Sequence, residues 1–128
     1  MKFHKDGTQP DSTQVFVFGS NLAGIHGAGA AKAALRYGAR MGHGIGLVGM
    51  TYAIPTKDHD INTLPIETIK PYIQRFVKMT LEYPQVEFFV TRVGCGLAGY
   101  KDSQIAPLFK GCGPNCSFPL EWRDYITM

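Results

Sequence analysis

The chain reads as an α/β protein with a mixed, mostly parallel sheet and helices on both faces, in a three-layer α/β/α arrangement. Three observations predict this. Apolar, β-favouring runs alternate with stretches of helical periodicity. Two of those runs pass directly into glycine-rich turns that precede helices. A length of 128 residues is that of one domain, so residues 1–128 are expected to share one core.

The elements follow in order. Residues 1–13 are polar and read as a loose arm or a short edge strand. Gln14-Val15-Phe16-Val17-Phe18 is a continuous run that stops at Gly19, as expected of a strand covered on both faces. From Ala28 the pattern turns helical: Lys32, Arg36 and Arg40 share one face, while Ala31, Ala34, Leu35 and Met41 line the other. Met41 to Gly49 reads as irregular. Thr51-Tyr52-Ala53-Ile54 is a short strand ended by Pro55, and Lys57 to Asn62 is a polar loop. Ile66, Ile69, Ile73, Phe76 and Val77 have helical spacing, with Pro71 either kinking that helix or opening its main part. Val86 to Thr91 is the next strand. A short helix is expected from Asp102, read as its N-cap. Ser117-Phe118-Pro119-Leu120 reads as an edge strand before a tail containing Trp122.

Composition excludes several classes. The formal charge is +3, and Lys and Arg are scattered rather than run together, so no extended nucleic-acid surface is expected. No stretch reaches the roughly 18 apolar residues of a membrane span. Met1 to Asp6 lacks the apolar run of a signal peptide. Three cysteines, Cys95, Cys112 and Cys116, cannot all pair within one chain, so free thiols and a cytoplasmic location are expected. Cys112-Gly113-Pro114-Asn115-Cys116 offers a CxxxC pair without the further ligands a structural zinc site requires, so no metal and no cofactor are expected.

The 15 glycines gather in two regions, Gly19–Gly49 and Gly94–Gly113. The first turn runs Gly19-Ser20-Asn21-Leu22-Ala23-Gly24-Ile25-His26-Gly27-Ala28-Gly29. Glycines let main-chain N–H groups approach an anion, and the helix that follows adds its positive end. It is neither a P-loop, since no Gly-Lys-Ser/Thr follows, nor the GxGxxG dinucleotide turn. The second turn, Gly94-Cys95-Gly96-Leu97-Ala98-Gly99-Tyr100, has the same logic, with small residues to wrap a diphosphate and Tyr100 to cover a ring. Ligands of such sheets bind at the carboxyl ends of the strands, where both turns lie. The plainer alternative is that the glycines only permit tight packing.

These segments resemble macro domains. Asn21 with the glycine-rich run into an alanine-rich helix is similar to their Asn-to-GGGG segment, and Phe89 to Tyr100 resembles their strand leading into a Gly-x-Gly-x-x-Gly-Tyr turn. Tyr52-Ala53-Ile54-Pro55 sits where they carry a middle strand. The resemblance spans about residues 14–110 and is nearest to a bacterial and phage subgroup. It implies an ADP-ribose ligand, or hydrolysis of an ADP-ribosyl or ADP-ribose-phosphate bond. Gly94, Cys95, Gly96, Leu97, Ala98 and Gly99 would then hold the diphosphate. Asn21, Gly27, Ala28 and Gly29 would hold the distal ribose, with Tyr100 packed near it, and Gly19 and Ser20 are further candidates for contact with the ligand. The chain departs from the family in two ways. The early aspartate that meets adenine has only Asp6 and Asp11 as candidates, and Ala30-Ala31 stands where hydrolytic members often carry an acidic residue.

For catalysis the expected pair is Asn21, orienting ribose or water, and His26, exchanging a proton from inside the turn. Cys95 lies beside a helix start that lowers thiol pKa. Lys57, Asp58 and His59 follow a strand end and either face the site or form a solvated loop. The partner expected is a small nucleotide ligand or an ADP-ribosylated substrate. The alternatives are a phosphatase or hydrolase of another nucleotide, cyclic ones included, and a non-catalytic interaction protein.

Overall fold

The computed structural model describes residues 1–127. Six strands, β1 (Lys2–His4), β2 (Gln14–Asn21), β3 (Gly46–Val48), β4 (Thr51–Lys57), β5 (Glu87–Val90) and β6 (Cys116–Pro119), form one sheet in the order β1-β6-β5-β2-β4-β3. Every pairing is parallel except β3 with β4. The helices are α1 (Gly29–Ala34), α2 (Ile66–Glu82), α3 (Asp102–Ile105) and α4 (Arg123–Ile126), with 3₁₀ turns after α1 and α3 and before α4.

Alternation along β2 builds two cores. Val15 and Val17 pack with Ile54, Phe88 and Val90 against Ile69, Ile73 and Phe76 of α2 and against Phe109, Phe118 and Trp122. Phe76 is the hub, meeting Phe88 edge-on at 5.3 Å and Phe109 at 5.8 Å. Phe16 and Phe18 point the other way, onto Ala31, Ala34 and Ala39. The fold is therefore α/β with helices on both faces, α2 with the C-terminal helices on one and short α1 on the other. Each fully buried aromatic or aliphatic side chain here is worth about 1.5–3 kcal/mol, which is why β2 needs no polar face.

Four local expectations are corrected. The alanine-rich helix is shorter than its periodicity implies: it tightens into a 3₁₀ turn over Leu35–Tyr37 and ends at Gly38, where φ is 107°. Arg40 and Met41 are therefore not helical, and Leu35 and Met41 are exposed. Pro55 does not end its strand. β4 continues to Lys57 because β3 reaches only Ala53, leaving Pro55 with one neighbour, Ser20 of β2, and no second ladder to donate to. Part of the segment Met41 to Gly49 is strand β3. Finally, Cys116–Pro119 is internal rather than an edge, because the Lys2–His4 arm pairs outside it, and Trp122 is fully buried. Pro71 lies within α2 on its exposed side, where water can satisfy the Glu67 carbonyl that its missing N–H leaves free.

Candidate functional site

Topology opens the cleft. Neighbouring strands β2 and β5 send their continuations to opposite faces, β2 to α1 and β5 to α3, so the chain parts at their carboxyl ends. A cleft of about 690 Å³ lies there, within the size range of small-molecule sites. β2 and the turn after β5 approach so closely that a β-carbon on Gly19 would stand 3.3 Å from the Gly94 amide nitrogen.

The first turn forms one wall through Gly19, Ser20, Asn21, Gly27, Ala28 and Gly29. Asn21 is 8% exposed, and its side chain is committed to the turn: Oδ1 accepts the Ile25 N–H at 2.9 Å while Nδ2 donates to the Ile25 carbonyl at 2.8 Å. These two bonds close the turn between Asn21 and Ile25. Behind it stands the segment read from sequence as irregular. The Gly42 N–H donates to the Gly24 carbonyl at 2.8 Å, and the Ser20 hydroxyl donates to the Gly44 carbonyl. The backbones cross so tightly that a β-carbon on Gly24 or Gly44 would overlap the opposing chain.

His26 faces this buttress, not the cleft. It is 2% exposed, its Nε2 donates to the Arg40 carbonyl at 2.8 Å, and its ring meets Phe18 edge-on at 5.5 Å. A carbonyl only accepts, so the proton is on Nε2. His26 is absent from the cleft lining, and that placement corrects the expectation of an acid/base within reach of ligand.

The opposite wall is the second turn: Gly94, Cys95, Gly96, Leu97 and Ala98 line the cleft, but Gly99 and Tyr100 do not. Among the described residues the amides of Gly96, Leu97 and Ala98 donate to no protein acceptor, leaving three successive N–H groups free. Tyr100 does not cover a ring; its hydroxyl donates to the Leu64 carbonyl and pins the loop after β4. A network holds the turn from beneath. Arg92 reaches Asp102 through Nε at 3.0 Å and Nη2 at 2.7 Å, and the Trp122 indole N–H donates to the same carboxylate at 2.7 Å. Burial alone would raise the Asp102 pKa, but the Arg92, Trp122 and Cys95 bonds outweigh it and hold the group below the usual carboxylate value. Asp102 is thus the first residue of α3, with Lys101 at the N-cap.

Cys95 behaves opposite to expectation. Burial first, then the charge of Asp102, push its thiol up to about 12. A four-residue helix supplies too little dipole to counter a carboxylate. All three cysteines are free, and among the described residues no three His, Cys, Asp or Glu side chains gather as metal ligands. The CxxxC turn packs on the end of α2: the Gly113 N–H donates to Thr80 Oγ1 at 3.0 Å, and Asn115 Nδ2 donates to the Thr80 carbonyl at 3.1 Å.

Of the polar candidates around the two turns the cleft takes some and leaves others, and it adds Arg36, which sequence did not single out. Lys57 lines the cleft at the end of β4, and Arg36 lines it from the 3₁₀ turn, while His59 does not. Asp6 lines it too and meets Arg92 Nη1 at 3.4 Å. Asp11 does not, accepting instead from the Thr13 N–H at 2.9 Å. The cleft also runs down the sheet face over Phe16 and Phe89, with His4 stacked on Phe89 at 3.8 Å and Tyr37 at 5.0 Å from Phe16. Phe16 and Phe89 share one buried cluster with Ala31 and Ala34 of α1, and His4 and Tyr37 close over them. No helix of the described residues is long and apolar enough to cross a membrane. Comparison with family models, curated proteins and solved structures finds no match for this chain.

Proposed function

We propose that the chain binds ADP-ribose or a closely related nucleotide-diphosphate ligand in this cleft. The observation that carries the reading is the free amide run at Gly96–Ala98, opposite the Asn21-closed turn, at the point where the chain leaves the sheet in two directions. Lys57 and Arg36 add positive charge around the same space, suited to a diphosphate, while Arg92 is committed to Asp102 and Asp6. The resemblance of both turns to macro domains supplies the particular nucleotide. The aromatic floor of His4, Phe89 and Phe16 offers room for a base beside Asp6.

Binding rather than turnover is the primary role in this reading. Hydrolysis needs an acid or base that reaches the ligand; His26 is buried behind the turn, and Cys95 is protonated at neutral pH. Asp6 is the one carboxylate among the lining residues, and it is paired with Arg92. Calorimetry with ADP-ribose, AMP and NAD, alongside an assay for product from ADP-ribose-1″-phosphate, tests the proposal. One ADP-ribose per chain, bound more tightly than AMP, is expected. Preference for AMP would point to another nucleotide hydrolase, and no binding of any of the three would leave an interaction protein.

A further inference from the structure

Ile61 breaks a local rule. Its φ is 66°, and among the described residues it is the one non-glycine residue with a positive value. A β-branched residue rarely enters that region, at a cost of order 1–3 kcal/mol. Such strain persists only where the surroundings over-determine it, and here they do. Asp58 Oδ1 accepts the N–H groups of Asp60 and Asn62, each at 2.9 Å, while the Ile61 N–H donates to the Asp58 carbonyl at 3.1 Å. The loop is then tied to the second glycine turn, with Thr63 Oγ1 donating to the Ala98 carbonyl at 3.0 Å and Tyr100 bound to Leu64. The conformation presents an aliphatic side chain, 40% exposed, to the cleft it lines.

Ile61 has company. Ile25 is 48% exposed and Leu97 is 71% exposed, and both line the same cleft. The three come from three loops, after β2, β4 and β5. A β-carbon on Gly29 would sit 3.8 Å from Leu97 Cδ1, so Leu97 reaches across toward the first turn. We propose that Ile25, Ile61 and Leu97 form an apolar collar that grips the uncharged sugar or base face of the ligand whose phosphates the glycine turns hold. The backbone strain at Ile61 keeps one side of the collar in place. This rests on the cleft being the ligand site, and it narrows the ligand class to anions that carry an apolar ring face, against bare phosphate or pyrophosphate.

The test compares the parent with Ile61→Gly and Leu97→Ala. Glycine at 61 relieves the strain, so its melting temperature should equal or exceed that of the parent, while ADP-ribose affinity falls about tenfold or more as the apolar contact is lost. Leu97→Ala, on an exposed loop, should weaken ADP-ribose to a similar degree, and inorganic pyrophosphate should bind all three proteins alike. ADP-ribose affinity within about twofold of the parent in Ile61→Gly would overturn the collar while leaving the cleft reading intact. If the parent does not bind ADP-ribose, that reading falls and anilinonaphthalene sulfonate, an anion on an apolar ring system, decides the collar. Its fluorescence should drop in both variants, and equal fluorescence in all three proteins would overturn it.

Discussion

Asn21 and His26 belong to one turn but act on different sides of it. Asn21 closes the turn on the cleft side by bonding both polar groups of Ile25, whereas His26 anchors the turn to the Arg40 carbonyl from behind. Sequence alone puts both in the turn and cannot tell which way a side chain points, because that depends on a crossing with residues 40–44. His26→Ala should therefore cost about 1–3 kcal/mol in urea denaturation, from the lost hydrogen bond and the space left against Phe18, while the Arg40 carbonyl keeps the His43 N–H. ADP-ribose affinity should change much less. Unchanged stability with lost turnover would instead restore the acid/base role.

At the level of elements, the second turn is held by a side-chain network rather than by its own backbone. Asp102 receives Arg92 through two bonds and Trp122 through one, joining the end of β5, the start of α3 and the C-terminal segment. Asp102→Asn cannot accept on both sides, and the partly buried Arg92 and Trp122 donors lose a charged partner. We expect a loss of about 1–3 kcal/mol, read by chemical denaturation, together with weaker ligand binding as the turn loosens. A variant as stable as the parent would show that the turn stands without the network. Asp102 was legible as a helix start because the residue type suits that position, but not as a hub, since its partners lie 10 and 20 residues away. The strand cores and α2 were legible from Val15–Phe18 and the Ile69-Ile73-Phe76 spacing. The extent of β4 was not, because a proline stops a strand only where a second ladder needs its N–H.

Across the whole molecule, the sheet places both predicted turns at one cleft, and that much followed from their positions after strands. The aromatic floor did not, since His4 meets Phe89 only because the Lys2–His4 arm pairs beside β6. His4 reports on that floor. Burial lowers its pKa below 6.5, against weaker raising effects from Val90, Asp6 and Glu121. The folded state thus favours the neutral ring, so this contribution to stability is full above 6.5 and is lost as pH falls through the folded value. The melting temperature of the parent should drop more between about pH 8 and about pH 5 than that of His4→Phe, which keeps the stack on Phe89; equal drops would contradict this placement of His4. The central claim is that the space between the two turns holds the phosphates of a nucleotide. Gly96 gives the most direct test, because a β-carbon there meets nothing within 4 Å and its φ does not demand glycine. Gly96→Glu should fold with the parent's melting temperature and place a carboxylate beside the free amides. Calorimetry of this variant with ADP-ribose should find no binding where the parent binds; binding equal to the parent's in a folded Gly96→Glu protein would contradict the account.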